Sequence, residues 1–305
     1  MSVVLLTGAS GFIGSPLVRQ LLAQGHQVHA TTTRTAEYCT TQPGLNWHRI
    51  DLLGGEAGIQ SLCRRVGADQ LIHLAWCVAP SNYLTTPDNL KWIVATQQLV
   101  SAFHAQGGRH VVLAGTCAEY DWRQGLCRED VTPLTPATPY GRSKKLVQEW
   151  AVLFGEMHGL SVAWARIFHL FGPWEAETRL VPSVIRALLR GEAALCSSGE
   201  QWRDFLHVED VAAAFVHLSK QQATGVFNVG SGEPVQLKTV IGYLARSLQA
   251  EGLVRLGARK ASENDPAFLV SDSRRLHALG WRPSFSLEDG LDDAMSWWRS
   301  RLLTH

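Results

Sequence analysis

Tyr140 and Lys144 stand four residues apart in ATPYGRSKKL, directly behind Pro139. On a helix this spacing places a phenol and an ammonium on one face, one turn apart. Proline suits the first turn of a helix, so the pair belongs at a helix start. Such a pair can move protons. A lone Tyr-x-x-x-Lys also occurs by chance in many chains, so its meaning depends on what accompanies it.

Two further groups accompany it. LLTGASGFIG puts Gly8, Gly11 and Gly14 three apart at the first strand–helix junction. Glycines allow a tight turn and close approach to a pyrophosphate, and the helix N-terminus adds amide N–H groups and a favourable dipole. The spacing is G-x-x-G-x-x-G rather than G-x-G-x-x-G. The second strand ends in Thr31, Thr32, Thr33 and Arg34. An acid there would suit the 2′-hydroxyl of NAD, whereas an arginine suits a 2′-phosphate. The expected cofactor is NADP(H) in preference to NAD(H). Thr116 ends the strand in LAGTCAEY, where a parallel sheet opens toward its ligand crevice. Its hydroxyl could bond a substrate oxygen.

The elements that must position these groups alternate along the chain. SVVLLT (2–7), QVHATTT (27–33), NWHRI (46–50), QLIHLA (70–75), HVVLAG (110–115) and SVAWARIF (161–168) are strand-like. Helical patterns lie near 12–24, 56–66, 89–106 and 140–158. This alternation predicts an α/β fold, a Rossmann-type doubly wound parallel sheet with a smaller α/β substrate-binding lobe. After FGP (171–173) the rhythm weakens to a helix near 180–190 and a loop-rich stretch to about 202. VFNVG (226–230) reads as one more core strand, followed by helices over 236–250 and 287–303. The core is assigned to 1–172 and 203–235, and the second lobe to 173–202 and 236–305.

Composition narrows the setting. The 305 residues are 46% hydrophobic and 18% charged, with a net charge of +1, ordinary for a globular enzyme-sized chain. Basic residues come in pairs at most, so neither nucleic acid nor an anionic membrane is an expected partner. No apolar run reaches the ~18 residues of a spanning helix. The six cysteines are scattered without a C-x-x-C, consistent with reduced thiols and a cytoplasmic location. The twelve histidines form no HExxH, and no metal site is expected.

Taken in order, TGASGFIG (7–14), Asp51-Leu52, His73-Leu74-Ala75, Thr116 and PYGRSK (139–144) resemble the extended short-chain dehydrogenase/reductase family, in its nucleotide-sugar branch. The resemblance continues through RIFHLFGP (166–173), RDFLHVEDVA (203–212), FNVGSG (227–232) and LGWRP (279–283). It implies Tyr140 as proton donor or acceptor, Lys144 as the residue holding the nicotinamide ribose, and Thr116 as the group fixing the reacting oxygen. The Lys144 charge is expected to lower the Tyr140 pKa from its usual ~10. The resemblance also implies a cofactor bed of Gly8, Ser10, Gly11, Phe12, Ile13, Gly14, Asp51, Leu52, Leu74 and Ala75. A nucleotide-sugar substrate would meet Arg203, whose planar fork suits a diphosphate, together with His169 and Arg179. Helices near 89–106 and 140–158 resemble those of a family dimer interface, so a homodimer is expected.

Departures from the family pattern select the reaction. Sugar 4,6-dehydratases of this type carry an acid and a base directly after the Ser/Thr, because they must remove one proton and expel a hydroxyl. Here Cys117 and Ala118 stand there, and Glu119 is one place further on. The expected activity is NADPH-dependent reduction of a nucleotide-linked 4-keto-6-deoxy sugar, with a nucleotide-sugar epimerase as the alternative. Some proteins of this fold only bind NADP(H), but they usually lack the tyrosine or the lysine. His169 replaces a common asparagine, Trp76 a common small residue, and Trp92 a helix asparagine, with Asn89 one turn earlier. Arg259 is a candidate for the second-lobe arginine, and His207 and Asp210 for structural roles.

Overall fold

The computed structural model describes residues 2–35, 41–78, 82–260 and 265–303. Seven parallel strands form the main sheet: β1 (Val3–Thr7), β2 (Gln27–Thr32), β3 (Leu45–Arg49), β4 (Gln70–His73), β5 (His110–Thr116), β7 (Ser161–Ile167) and β11 (Gly225–Val229). Their order is β3-β2-β1-β4-β5-β7-β11. The chain winds outward to β3, then returns to β4 and winds the other way. That reversal between β1 and β4 leaves a crevice at the strands' C-terminal ends.

The period of two along each strand sorts side chains into two cores. Val4 and Leu6 of β1 and Val112 of β5 face α1 (Gly14–Ala23) and α6 (Val208–Lys220). Leu5, Val111 and Leu113 face α2 (Glu56–Val66), α3 (Asp88–Ala105) and α4 (Pro139–His158). All seven β5 residues are buried, as expected for a central strand covered on both faces. Truncating Leu5 or Leu113 to alanine would cost ~2–5 kcal/mol by leaving a cavity that the sheet cannot close.

The second lobe has its own core between α5 (Leu180–Leu189), α7 (Leu237–Ser247) and α9 (Leu287–Leu303), filled by Ile185, Leu188, Ile241, Leu244, Leu291 and Trp298. A smaller sheet joins β6 (Leu126–Cys127), β8 (His169–Phe171), β10 (Trp202–His207), β12 (Pro234–Gln236) and β14 (Phe268–Ser271). The pair β9 (Ala194–Leu195) and β13 (Val254–Arg255) and the short helix α8 (Arg274–Ala278) complete the list. β6 and β8 come from within 1–172 and all of β10 but its first residue from within 203–235, yet all three pair in the smaller sheet. The two lobes therefore interleave more than a division by chain segment implies.

Asp210 accepts the amides of Ser284 and Phe285, and His207 packs on Phe285 beside Asp293. Both tie the second lobe to α6.

Candidate active site

One cavity of about 790 Å³ opens at the crevice and extends between the lobes. All but one of the residues proposed from the sequence for cofactor, catalysis or substrate line it: Gly8, Ser10, Gly11, Phe12, Ile13, Gly14, Arg34, Asp51, Leu52, Leu74, Ala75, Thr116, Tyr140, Lys144, His169, Arg179 and Arg203. Arg259 does not line it. The Arg259 amide instead bonds Cys196 O.

The glycine loop is built for backbone contact. A Cβ on Gly14 would lie 2.1 Å from Gly8 O, closer than any real contact, so α1 can start this near β1 only with glycine there. No side chain caps the α1 N-terminus and no acid lies in its first turn. Its amides and dipole therefore face the cavity without a competing anion. This cradle fits a dinucleotide pyrophosphate. Beside it, Ser10 and Thr32 share a 2.9 Å hydroxyl contact, and the Arg34 amide donates to Thr32 Oγ1. Asp51 lines the far side and caps the short turn at Leu52–Gly54 through the Leu53 amide.

Tyr140 and Lys144 owe their placement to the start of α4. Thr138 caps it, accepting from the Gly141 amide at 3.1 Å, with Pro139 in the first turn. Gly141 lets α4 press against the turn after β5, since a Cβ there would meet Ala118 O at 2.2 Å. The Tyr140 amide also donates to Leu84 O. As a result the Tyr140 phenol is turned toward the Thr116 hydroxyl, and both line the cavity. Lys144 Nζ donates to Ala114 O at 2.8 Å and lies 3.8 Å from the centre of the Trp76 ring.

The expected lowering of the Tyr140 pKa is not what this geometry gives. Burial pushes the phenol well above its ordinary value, and the neighbouring Thr116 hydroxyl offsets only part of that. Burial also brings Lys144 down to about 7, with Glu119 drawing it back up. Desolvation outweighs charge pairing here because both side chains are almost fully buried. The phenol therefore carries its proton at neutral pH, as a proton donor must.

Glu119 is not a displaced base. Its carboxylate closes a capping box on the Thr116 amide, accepts from Trp164 Nε1 and pairs with Arg166 Nε at 2.7 Å, fully buried. It faces away from the cavity, whose lining passes from Ala118 to Trp122.

His73 hydrogen-bonds Thr7 and Thr96, and burial lowers its pKa to about 3. This neutral ring pins β4 to β1 and α3 beneath the site.

Tyr83 and Trp122 carried no sequence signal for the site, and Trp76 and Trp92 showed only as departures from the family pattern. Trp76, Tyr83, Trp92 and Trp122 wall the end around Tyr140. Tyr83 and Trp76 meet the Tyr140 ring edge-on at 5.1 and 6.3 Å, and Trp76 stacks on Trp92. Asn89 organises them. Its Oδ1 accepts from Trp76 Nε1 at 2.8 Å, and its Nδ2 donates to the carbonyls of Tyr83 and Thr86. The two tryptophans thus both pack and line the cavity. His169, Arg179 and Arg203 converge in the part of the cavity toward the second lobe. Arg203 pairs with Asp265, Arg179 lies over Tyr83, and burial with the two arginines holds His169 near pKa 3. Glu175, also in this part, was passed over in the sequence.

Similarity to known proteins agrees with this architecture. The family model for the NAD dependent epimerase/dehydratase family matches residues 4–230. The chain is 26% identical to CDP-abequose synthase of Salmonella typhimurium, over 96% of this chain and 97% of that protein. It is 29% identical to dTDP-glucose 4,6-dehydratase of Streptomyces griseus, over 97% and 93%. Among solved structures, MoeE5 in complex with UDP-glucose and NAD superposes with a TM-score of 0.83 at 29% identity, covering 98% of this chain and 99% of that one. With the glycine cradle, the Thr116–Tyr140–Lys144 cluster and the two-lobed cavity in place, these matches make the chain a member of the NAD dependent epimerase/dehydratase family, an enzyme of the extended short-chain dehydrogenase/reductase type.

Proposed function

We propose that the protein is an NADPH-dependent ketoreductase that reduces the 4-keto group of a nucleotide-linked 6-deoxyhexose. The observation that carries this reading is the buried phenol at Tyr140, which lines the same cavity as Thr116, while the neighbouring Glu119 carboxylate is taken up by Arg166. A dehydratase needs an acid and a base at that place. Cys117 is a buried thiol pushed to about 12, Ala118 has no proton to exchange, and Glu119 is spent on Arg166.

The dinucleotide, when bound, supplies a hydride to the substrate carbonyl carbon. Thr116 and Tyr140 hold the carbonyl oxygen between two hydroxyls, polarising it as negative charge develops. Tyr140 gives its proton to that oxygen. Lys144, already near neutral pKa, hydrogen-bonds the nicotinamide ribose and stabilises the tyrosinate left behind. The α1 N-terminus and the glycine loop hold the pyrophosphate, and Arg34 takes the 2′-phosphate of NADP(H). Arg203, Arg179 and His169 bind the substrate diphosphate. The aromatic wall around Tyr140 excludes water and favours a methyl over a hydroxymethyl group next to the reacting carbon.

The homodimer also belongs to this reading. Leu90 and Val94 on α3 and Leu146, Leu153 and Met157 on α4 are exposed apolar side chains on adjacent helices, the composition of a covered face.

The test is incubation of the protein with NADPH and a panel of nucleotide-linked 4-keto-6-deoxy sugars. Stoichiometric NADPH oxidation with formation of the alcohol is expected. Appearance of an epimer without net cofactor change would give the epimerase reading instead, which the family membership equally accommodates.

A further inference from the structure

Trp76 touches both members of the Tyr140–Lys144 pair. Its ring meets the Tyr140 ring edge-on, with the planes 76° apart, and presents its face to Lys144 Nζ at 3.8 Å. The indole is itself fixed from two further sides. Nε1 donates to Asn89 Oδ1 at 2.8 Å, and Trp92 stacks on the ring at 5.8 Å. A buried ring held this way has little freedom to turn.

The lysine beneath it has few other partners. An ammonium carries three N–H donors. One goes to Ala114 O at 2.8 Å, and the indole face takes a second direction. Lys144 lines the cavity, so the third is left for a ligand there. Among the described residues no carboxylate pairs with Lys144. Of the titratable groups around the pair, Glu119 is bound to Arg166, His73 is a neutral ring, and Tyr83 and Cys117 lie by the phenol. Burial alone would strip the ammonium of its charge. A tryptophan face attracts a cation, and more strongly where water is excluded. A small residue, common at this place in the family, would offer no such support.

We propose that Trp76 is a positioning residue of this active site: its indole face keeps the Lys144 ammonium charged and turned so that one N–H is left for the nicotinamide ribose. This rests on the reading of Lys144 as the residue that binds that ribose.

The experiment compares two substitutions. Trp76→Phe keeps an aromatic face, whereas Trp76→Leu has similar bulk and none. Both lose the indole N–H and open similar room to water, so the difference between them isolates the ring face. Carbon NMR of the cofactor-free protein, labelled at lysine Cε, follows the Lys144 titration directly, and Lys144→Met identifies its signal. The Lys144 midpoint should lie about one pH unit higher in Trp76→Phe than in Trp76→Leu. Calorimetric titration with NADP⁺ and with NAD⁺ at pH 7 reads the consequence. Trp76→Phe should bind the preferred dinucleotide within about threefold of wild type, and Trp76→Leu about five- to tenfold more weakly. Trp76→Met takes the place of Trp76→Leu in both measurements if the latter loses the wild-type circular dichroism. A common Lys144 midpoint in the aromatic and aliphatic variants, or equal dinucleotide affinity, overturns the proposal. If Lys144→Met still binds more weakly than wild type, the ribose-binding role of Lys144 survives that result. If Lys144→Met binds both dinucleotides as tightly as wild type, that role fails, and the assignment of Trp76 fails with it.

Discussion

The Lys144 ammonium lies 3.8 Å from the centre of the Trp76 ring, and the same nitrogen donates to Ala114 O. An indole face and one carbonyl replace the water that a lysine normally keeps. They do so incompletely, and burial lowers its pKa to about 7. The depressed value means that the folded protein disfavours the charged form. The penalty is complete below pH 7, where folded and unfolded states are both protonated, and is relieved as pH rises toward 10.5. Stability of the cofactor-free protein should therefore gain up to about 1.4 kcal/mol per pH unit from this residue above pH 7. Urea denaturation of wild type and Lys144→Met between pH 7 and 8.5 isolates that slope, because Glu175, which burial raises to about 8, titrates in both proteins. Equal slopes would show that the ammonium is better solvated than its burial implies.

Removing the Tyr140 hydroxyl tests the proton donor. Tyr140→Phe should lower kcat by about 10²–10⁴-fold, the usual contribution of a placed acid. NADPH binding, followed by its fluorescence, should change little, because the ring keeps its packing against Tyr83 and Trp76. A variant retaining near-full turnover would move the donor elsewhere.

Arg34 should decide the cofactor. Arg34→Ala should raise the KM for NADPH on the order of tenfold, the worth of one charge-assisted hydrogen bond, and leave the KM for NADH nearly unchanged. A parallel loss for both cofactors would assign Arg34 to the fold of the loop after β2.

Glu119 is expected to matter for stability. It and Arg166 form a fully buried ion pair, with Trp164 and the Thr116 amide on the same carboxylate. Breaking such a pair from one side leaves an uncompensated charge, at about 3–5 kcal/mol. Glu119→Gln and Arg166→Gln should each destabilise by that order in chemical denaturation, and the double variant by less than their sum. Additive losses would mean that the two charges are not coupled.

Leu153→Arg places a charge on the exposed apolar face shared by α3 and α4. Light scattering after size exclusion should show a dimer for wild type and a monomer for the variant, with the far-UV spectrum unchanged. Identical masses would remove this face from the interface.

The main sheet was legible because each central strand is a short apolar run between glycines and amphipathic helices. The Tyr140–Lys144 pair was legible because proline and a four-residue spacing fix both to one helix start. The smaller sheet was not. β6, β8 and β12 are two or three residues long, too short for an alternation to show. α6 was missed because it is buried on most sides, so VEDVAAAFVHLSK has little polar face to mark its period. Glu175 and Asp265 sit in stretches that look like solvated loops. Only the three-dimensional path shows that one carboxylate is buried and that the other meets Arg203. The balance between Tyr140 and Lys144 was misjudged for a related reason, since spacing reports proximity and says nothing of desolvation.

Asn89 joins Trp76 to the carbonyls of Tyr83 and Thr86, while Leu84 O holds the first turn of α4. The aromatic wall is thus a single tile mortared by one amide. Anyone seeking to make room for a larger substrate would gain little by trimming one indole, because the loosened turn would drag the phenol with it. Residues 76 to 92 would have to be exchanged as a cassette.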